Sequence, residues 1–201
     1  MTKAPKTCAL VLAGGYSKRF KKDKRLSLGE QNLALDPKPL ILRSLENISP
    51  CYKDIFLVHR KEENKDFLKL LENVKLTCLS ANSKDASLSQ NLSQAMKEII
   101  SKDIFEACAI FLADMPFISQ ETINNLSKNA KKDLIFRPNF KQKQGHPVII
   151  GKDFFEHFCT LEAKQKPQEL LKKLKNHLKL IQTNDKGVIT DIDYPSDYLN
   201  I

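Results

Sequence analysis

The chain has 201 residues, of which 41% are hydrophobic and 28% charged, a composition that excludes a disordered chain and suits one globular domain over residues 1–201. Its formal net charge is +9 and its pI about 9.2, which fits a polyanionic small substrate as well as nucleic acid. Nucleic acid is the disfavoured partner, because Lys97, Lys128, Lys172, Lys173 and Lys175 are spread as on solvated helix faces and no aromatic-interleaved basic stripe or zinc-finger spacing occurs.

The polar Met1–Thr7 passes into the apolar run Cys8–Ala13, which reads as a buried strand. No apolar run approaches the roughly 18 residues of a membrane span, and no small-residue cleavage pattern follows Gly14-Gly15, so a cytoplasmic chain with no membrane partner is expected. Tyr16–Lys38 is basic, turn-forming and without period, and lies directly after the first strand. Helix over Pro39–Ile48, strand over Asp54–Val58, helix over Phe67–Val74 and strand over Lys75–Leu79 come next. Leu88, Leu92, Ala95, Met96, Ile99 and Ile100 then form the apolar stripe of an amphipathic helix. Ala107–Ala113 is the next strand, and Ser119 reads as the N-cap of a helix that turns Ile123 and Leu126 inward. Strands over Leu134–Phe136 and Pro147–Ile150, helices over Phe154–Leu161 and Glu169–Leu178, alternating acids in a strand at Asp191–Asp193, and a helix from Pro195 complete the pass. This alternation predicts a three-layer α/β/α, Rossmann-like fold around a mostly parallel sheet. Cys8, Cys51, Cys78, Cys108 and Cys159 have no CxxC spacing or pairing rhythm and read as structural thiols.

Four segments could carry chemistry. Leu12-Ala13-Gly14-Gly15-Tyr16-Ser17-Lys18-Arg19, continuing to Lys24, joins a tight turn to a hydroxyl and several cations. Two glycines let backbone N–H groups approach an anion, although a Gly-Gly turn beside a solvated basic face would look the same. It is neither a Walker A loop nor a GxGxxG fingerprint. Asp114, in Ala113-Asp114-Met115-Pro116, ends an apolar strand where a carboxylate can hold Mg²⁺, or where it merely caps a turn set by Pro116. Gly145-His146-Pro147-Val148 reads as a turn with a structural histidine. Asp191 and Asp193, alternating on one face, could share a cation, while Asp197 favours a helix start.

Taken together and in this order, the segments resemble the MobA-like NTP transferases that act on the molybdenum cofactor. The likeness rests on Leu12-Ala13-Gly14-Gly15-x-Ser17-x-Arg19 with Lys24, on Ala113-Asp114-Met115-Pro116, and on Gly145-His146-Pro147-Val148 and Asp191-Ile192-Asp193-x-Pro195-x-Asp197-Tyr198. The resemblance implies transfer of a nucleoside monophosphate from an NTP, GTP or CTP, to a phosphorylated acceptor such as molybdopterin, with Mg²⁺ as cofactor and a molybdoenzyme or cofactor-insertion protein as partner. It assigns Lys24, Arg19 and Asp114 to catalysis; Leu12, Ala13, Gly14, Gly15, Ser17, Arg19, Lys24, Asn82 and Ser89 to nucleotide binding; and Asp114, Asp191 and Asp193 to metal. Departures keep base and acceptor open. Phe20-Lys21 stand where the signature has Met-Gly, Ala13-Gly14-Gly15 follows the guanylyl pattern, and Glu162–Pro167 replaces a Gly-Asp-rich stretch. A sugar or polyol phosphate acceptor, or a nucleotide-binding protein without activity, are the alternatives.

Overall fold

The structure is a computed structural model that describes residues 6–16, 20, 22–28 and 37–199. Its strands are β1 (Thr7–Leu12), β2 (Ile55–His59), β3 (Thr77–Ser80), β4 (Ala107–Leu112), β5 (Ile135–Phe140), β6 (Lys143–Gln144), β7 (Val148–Gly151) and β8 (Leu178–Gln182). The helices are α1 (Leu40–Ile48), α2 (Lys65–Leu71), α3 (Leu88–Ser101), α4 (Gln120–Lys128), α5 (Phe155–Cys159) and α6 (Pro167–Lys173). One sheet runs β3-β2-β1-β4-β7-β5-β6, with β8 beside β5. The first four strands in this row are mutually parallel, β7 is antiparallel to both β4 and β5, and β8 runs parallel to β5.

Successive residues of a strand face opposite sides of its sheet, so a strand covered on both sides must be apolar throughout. β1 shows this directly. Ala9 and Val11 pack with Ile41 and Leu45 of α1, Phe67 of α2 and Ile123 of α4, whereas Cys8, Leu10 and Leu12 pack with Leu92 and Met96 of α3, Phe158 of α5 and Leu171 of α6. The sheet is thus the middle of three layers, as the alternation predicts. In α3 the predicted stripe is the buried face at Leu92, Ala95, Met96 and Ile99. Ser87 caps the helix by accepting from the Gln90 N–H, and the Gln90 side chain returns the bond. Ser119 caps α4, which buries Ile123 and Leu126.

Some predicted elements change. The helix expected over Glu169–Leu178 stops at Lys173, and Leu178 opens β8. That strand lies at the sheet margin and is nowhere fully buried, so no continuous apolar run marks it; its pairing with β5 decides its conformation. Strand β5 runs on through Pro138 to Phe140. The Pro138 carbonyl accepts from the Gly145 N–H at 2.8 Å. The proline nitrogen faces the same way, between the β7 and β6 pairings, where no ladder donor is needed. Asp191–Asp193 is irregular chain and not a strand. Its alternation survives, because Ile192 is fully buried and its N–H reaches the Asp114 carbonyl at 2.9 Å, leaving the two acids on the other side. All five cysteines are free.

Candidate functional site

Parallel β1 and β4 end side by side, Leu12 paired with Leu112, so the segments that continue from them leave the sheet at the same edge. Here a cleft of about 480 Å³ is lined by Leu12, Gly14, Gly15, Lys24, Asn91, Asp114 and Asp193, among others. The glycine turn, the strand-end aspartate and the C-terminal acid therefore meet where an open parallel sheet binds ligands.

The backbone of the first segment divides into two parts. The Leu12 carbonyl accepts from the Ala113 N–H at 3.2 Å, the Ala13 N–H donates to the Val58 carbonyl at 2.8 Å, and the Ala13 carbonyl accepts from Arg25 Nη1 at 2.7 Å. Those groups are committed to the fold, and Ala13 is buried away from the cleft. Among the described residues no hydrogen bond uses the N–H groups of Gly14 or Gly15, which remain available to an anion. Gly14 has a second reason to lack a side chain: a Cβ there would lie 2.5 Å from Nδ2 of Asn91.

Lys24 opens a short 3₁₀ turn, Lys24–Leu26, and reaches across the cleft. Its ammonium donates to Asp114 Oδ2 at 2.6 Å, to the Ile192 carbonyl at 2.9 Å and to Asp193 Oδ1 at 3.0 Å. Burial works against the charge, but the two carboxylates outweigh it and raise the Lys24 pKa above the ordinary lysine value. Partial desolvation, with Asp193 and Asp114 close by, raises the pKa of Asp191. The donor set suits Mg²⁺, which takes one or two carboxylates and completes its shell with phosphate oxygens and water. A local observation fits as well: Asp114 Oδ1 is buried and has no hydrogen-bond partner. Asp197 Oδ2 accepts from the N–H groups of Asp193 and Tyr194, both at 2.7 Å, and so fixes the turn that presents Asp193.

Other expected site residues lie elsewhere. The hydroxyl of Ser89 is turned to the Gln165 carbonyl. Asn82 lines a neighbouring cavity beside Gln94, whose Oε1 accepts its N–H. Ser17 and Arg19 fall outside the described residues. Composition could not reveal the brace under the loop. Arg25, 2% exposed, holds Glu63 through two bonds of 2.7 Å and Asp23 through bonds of 2.9 and 2.5 Å. Arg60 joins Asp23 at 2.8 Å to the Gly15 carbonyl at 2.6 Å. Asn91 of α3, 4% exposed with an unpartnered Oδ1, lines the cleft as well.

His146 stands just behind the cleft. Burial, and then the Arg137 cation, push its pKa down from 6.5 to about 4, against the opposing pull of the Ile110 carbonyl and Asp114. A histidine held neutral in the fold stabilises fully above pH 6.5, where the unfolded chain is also neutral. As pH falls below 6.5 the unfolded chain binds a proton that the fold refuses, and the loss is complete near pH 4. The loss is on the order of 3 kcal/mol. Urea midpoints between pH 7 and 4 should therefore fall more steeply for the wild type than for His146→Gln; equal slopes would rule out a neutral buried imidazole.

The profile of the MobA-like NTP transferase domain matches residues 9–178. A curated relative from Natranaerobius thermophilus, named a probable molybdenum cofactor guanylyltransferase, is 33% identical over 129 residues, which cover 62% of this chain. The chain spans 55% of that relative's length. Among solved structures, Rv0371c from Mycobacterium tuberculosis superposes with a TM-score of 0.78 over 99% of this chain and 98% of that one, at 16% identity. The 4-diphosphocytidyl-2C-methyl-D-erythritol synthase of Anaerococcus prevotii gives 0.73 over 98% and 94%, at 14% identity. No helix among the described residues is long and apolar enough to cross a membrane. With its family profile covering most of the chain and the same fold in both structures, the protein belongs to the MobA-like NTP transferase family.

Proposed function

We propose that this protein is a Mg²⁺-dependent nucleotidyltransferase that moves NMP, with GTP the favoured donor, onto the phosphate of molybdopterin. The carrying observation is the meeting of the Gly14-Gly15 turn, Lys24, Asp114 and Asp193 in one cleft. Support for the acceptor comes from the name of the curated relative. On this reading the protein works in the cytoplasm, and a molybdoenzyme or cofactor-insertion protein receives the product.

The reaction needs placement and charge neutralisation more than proton transfer. The free N–H groups of Gly14 and Gly15, with Ser17 and Arg19, bind the β- and γ-phosphates. Lys24 turns its ammonium to the α-phosphate, where charge builds as an acceptor phosphate oxygen bonds to phosphorus. The bond from that phosphorus to the bridging oxygen of the β-phosphate breaks, and pyrophosphate leaves with its electron pair. Asp114 and Asp193 would hold the Mg²⁺, with Asp191 nearby, and the bound ion supplies positive charge to the phosphate oxygens.

Asn91 bears on the base. The residue lines the cleft with Nδ2 beside Gly14 and Oδ1 buried without a partner, and on this reading its amide turns to the edge of the guanine base when the nucleotide binds. Pyrophosphate release with each of four NTPs, Mg²⁺ and either molybdopterin or a sugar phosphate tests the whole reading. GTP with molybdopterin is expected to be the productive pair. Gly14→Ala would displace the Asn91 amide and should shift the GTP/CTP ratio about tenfold, equivalent to roughly 1.4 kcal/mol. Release only with a sugar phosphate would replace the acceptor, no release with any pair would remove the activity, and an unchanged ratio would take base selection away from Gly14 and Asn91.

A further inference from the structure

A smaller cavity, of about 60 Å³, lies behind the nucleotide cleft and shares Leu12 and Leu88 with it. Leu112, Val148, Phe158 and Leu171 make its walls apolar, yet Arg137 and His146 also line it. Arg137 comes from β5 and is partly buried. Nε donates to the Gly145 carbonyl at 2.8 Å and Nη1 to Gln144 Oε1 at 3.2 Å, both neutral acceptors. Among the described residues no carboxylate pairs with it. The contrast with Arg25 and Arg60 is direct, since Arg25 holds two carboxylates and Arg60 holds Asp23. Burial pushes the Arg137 pKa down, as it does for a cation that lacks a counter-charge, and its neighbour His146 is neutral. A partly desolvated guanidinium without a carboxylate costs stability, and its planar fork matches a two-oxygen anion. At about 60 Å³ the cavity admits a small polar group and is far too small for a second nucleoside.

We propose that Arg137 and this cavity form a binding site for a small oxyanion, phosphate or carboxylate, beside the nucleotide cleft. The site goes beyond the nucleotidyltransferase reading and can be tested without turnover.

Melting temperature is the readout, because an anion that binds the folded state raises it with the logarithm of its concentration relative to its Kd. Inorganic phosphate and acetate are titrated separately, first alone and then with saturating GTP and Mg²⁺ to fill the nucleotide cleft. The expected result is that one of the two raises the wild-type midpoint in both conditions. Arg137→Gln should weaken that response at least tenfold in concentration, while the GTP-induced shift is retained. Arg137→Lys, which keeps charge without the fork, should respond in between. Lys172→Gln, on an exposed face of α6, should behave as wild type and so account for general attraction to a basic surface. Arg137→Gln should itself melt no lower than wild type, since it removes an unpaired charge. A response identical in wild type and Arg137→Gln, or one as sensitive to Lys172→Gln as to Arg137→Gln, would overturn the subsite. Absence of a GTP shift with the Arg137-dependent response intact would instead overturn the nucleotide reading and leave the anion site standing.

Discussion

Asp114→Asn is expected to lower turnover about 10³-fold, the effect of losing roughly 4 kcal/mol of transition-state charge stabilisation. Asparagine keeps the shape and still offers one oxygen to Lys24, which also retains Asp193 and the Ile192 carbonyl. The backbone bond from Ile192 to residue 114 is indifferent to the side chain. The fold should therefore persist, with a melting temperature within a few degrees of wild type, and the loss should appear in kcat more than in nucleotide KM. Raising Mg²⁺ should restore little, because the charge of the ligand has gone. Near-normal turnover of this variant at saturating Mg²⁺ would remove Asp114 from the mechanism. A collapse of the fold would make it a structural residue.

Glu63→Ala should produce the largest loss of stability, about 3 kcal/mol, the lower part of the range for breaking a buried ion pair. The Glu63 side chain is 2% exposed and that of Arg25 3%. The two meet through a bidentate fork, and Arg25 also lies over the Phe67 ring at 3.9 Å. Without Glu63, the Arg25 cation keeps Asp23 and the Ala13 carbonyl but loses half of its charge partners. For a chain of this size the melting temperature should fall on the order of 10 °C. Arg25 also grips the Ala13 carbonyl and, through Asp23 and Arg60, steadies Gly15, so nucleotide KM should rise as well. Glu63→Gln, which retains the volume, should lose less. A shift under 1 °C for the alanine variant would show that the loop stands without this brace.

These two residues mark what a sequence discloses. Asp114 was legible because a lone acid after five buried strand residues breaks a pattern, and because its companions near Gly14 and Asp193 occur in a recognisable order. Glu63 was not, since its surroundings Lys61-Glu62-Glu63-Asn64-Lys65 look like any solvated turn and its partner lies 38 residues earlier. Helix α3 was readable from its stripe, whereas β8 was not, because an edge strand carries no continuous apolar run. Asp191 and Asp193 flank a buried Ile192 in irregular chain where the alternation predicts a strand; period-two alternation needs only an extended chain, and hydrogen bonds to a neighbour are what make it a strand. Arg137 gave no signal at all, for an arginine without a counter-charge is visible only once the acids around it have been placed.

The reversal of direction at β7 has a consequence for how such a protein can diversify. In the parallel half, each strand reaches the cleft with its carboxyl end, so the glycine turn and Asp114 sit on connections that must also carry the chain to the next helix. The antiparallel β7 arrives at the same edge with its beginning, through Gly145 and His146, and β5 with β6 forms a hairpin there. A hairpin can change length and side chains without rerouting a crossover. The turn between β5 and β6 can thus vary at little cost to the fold, whereas Gly145, just before β7, cannot, since a Cβ there would lie 2.1 Å from the Val188 carbonyl oxygen.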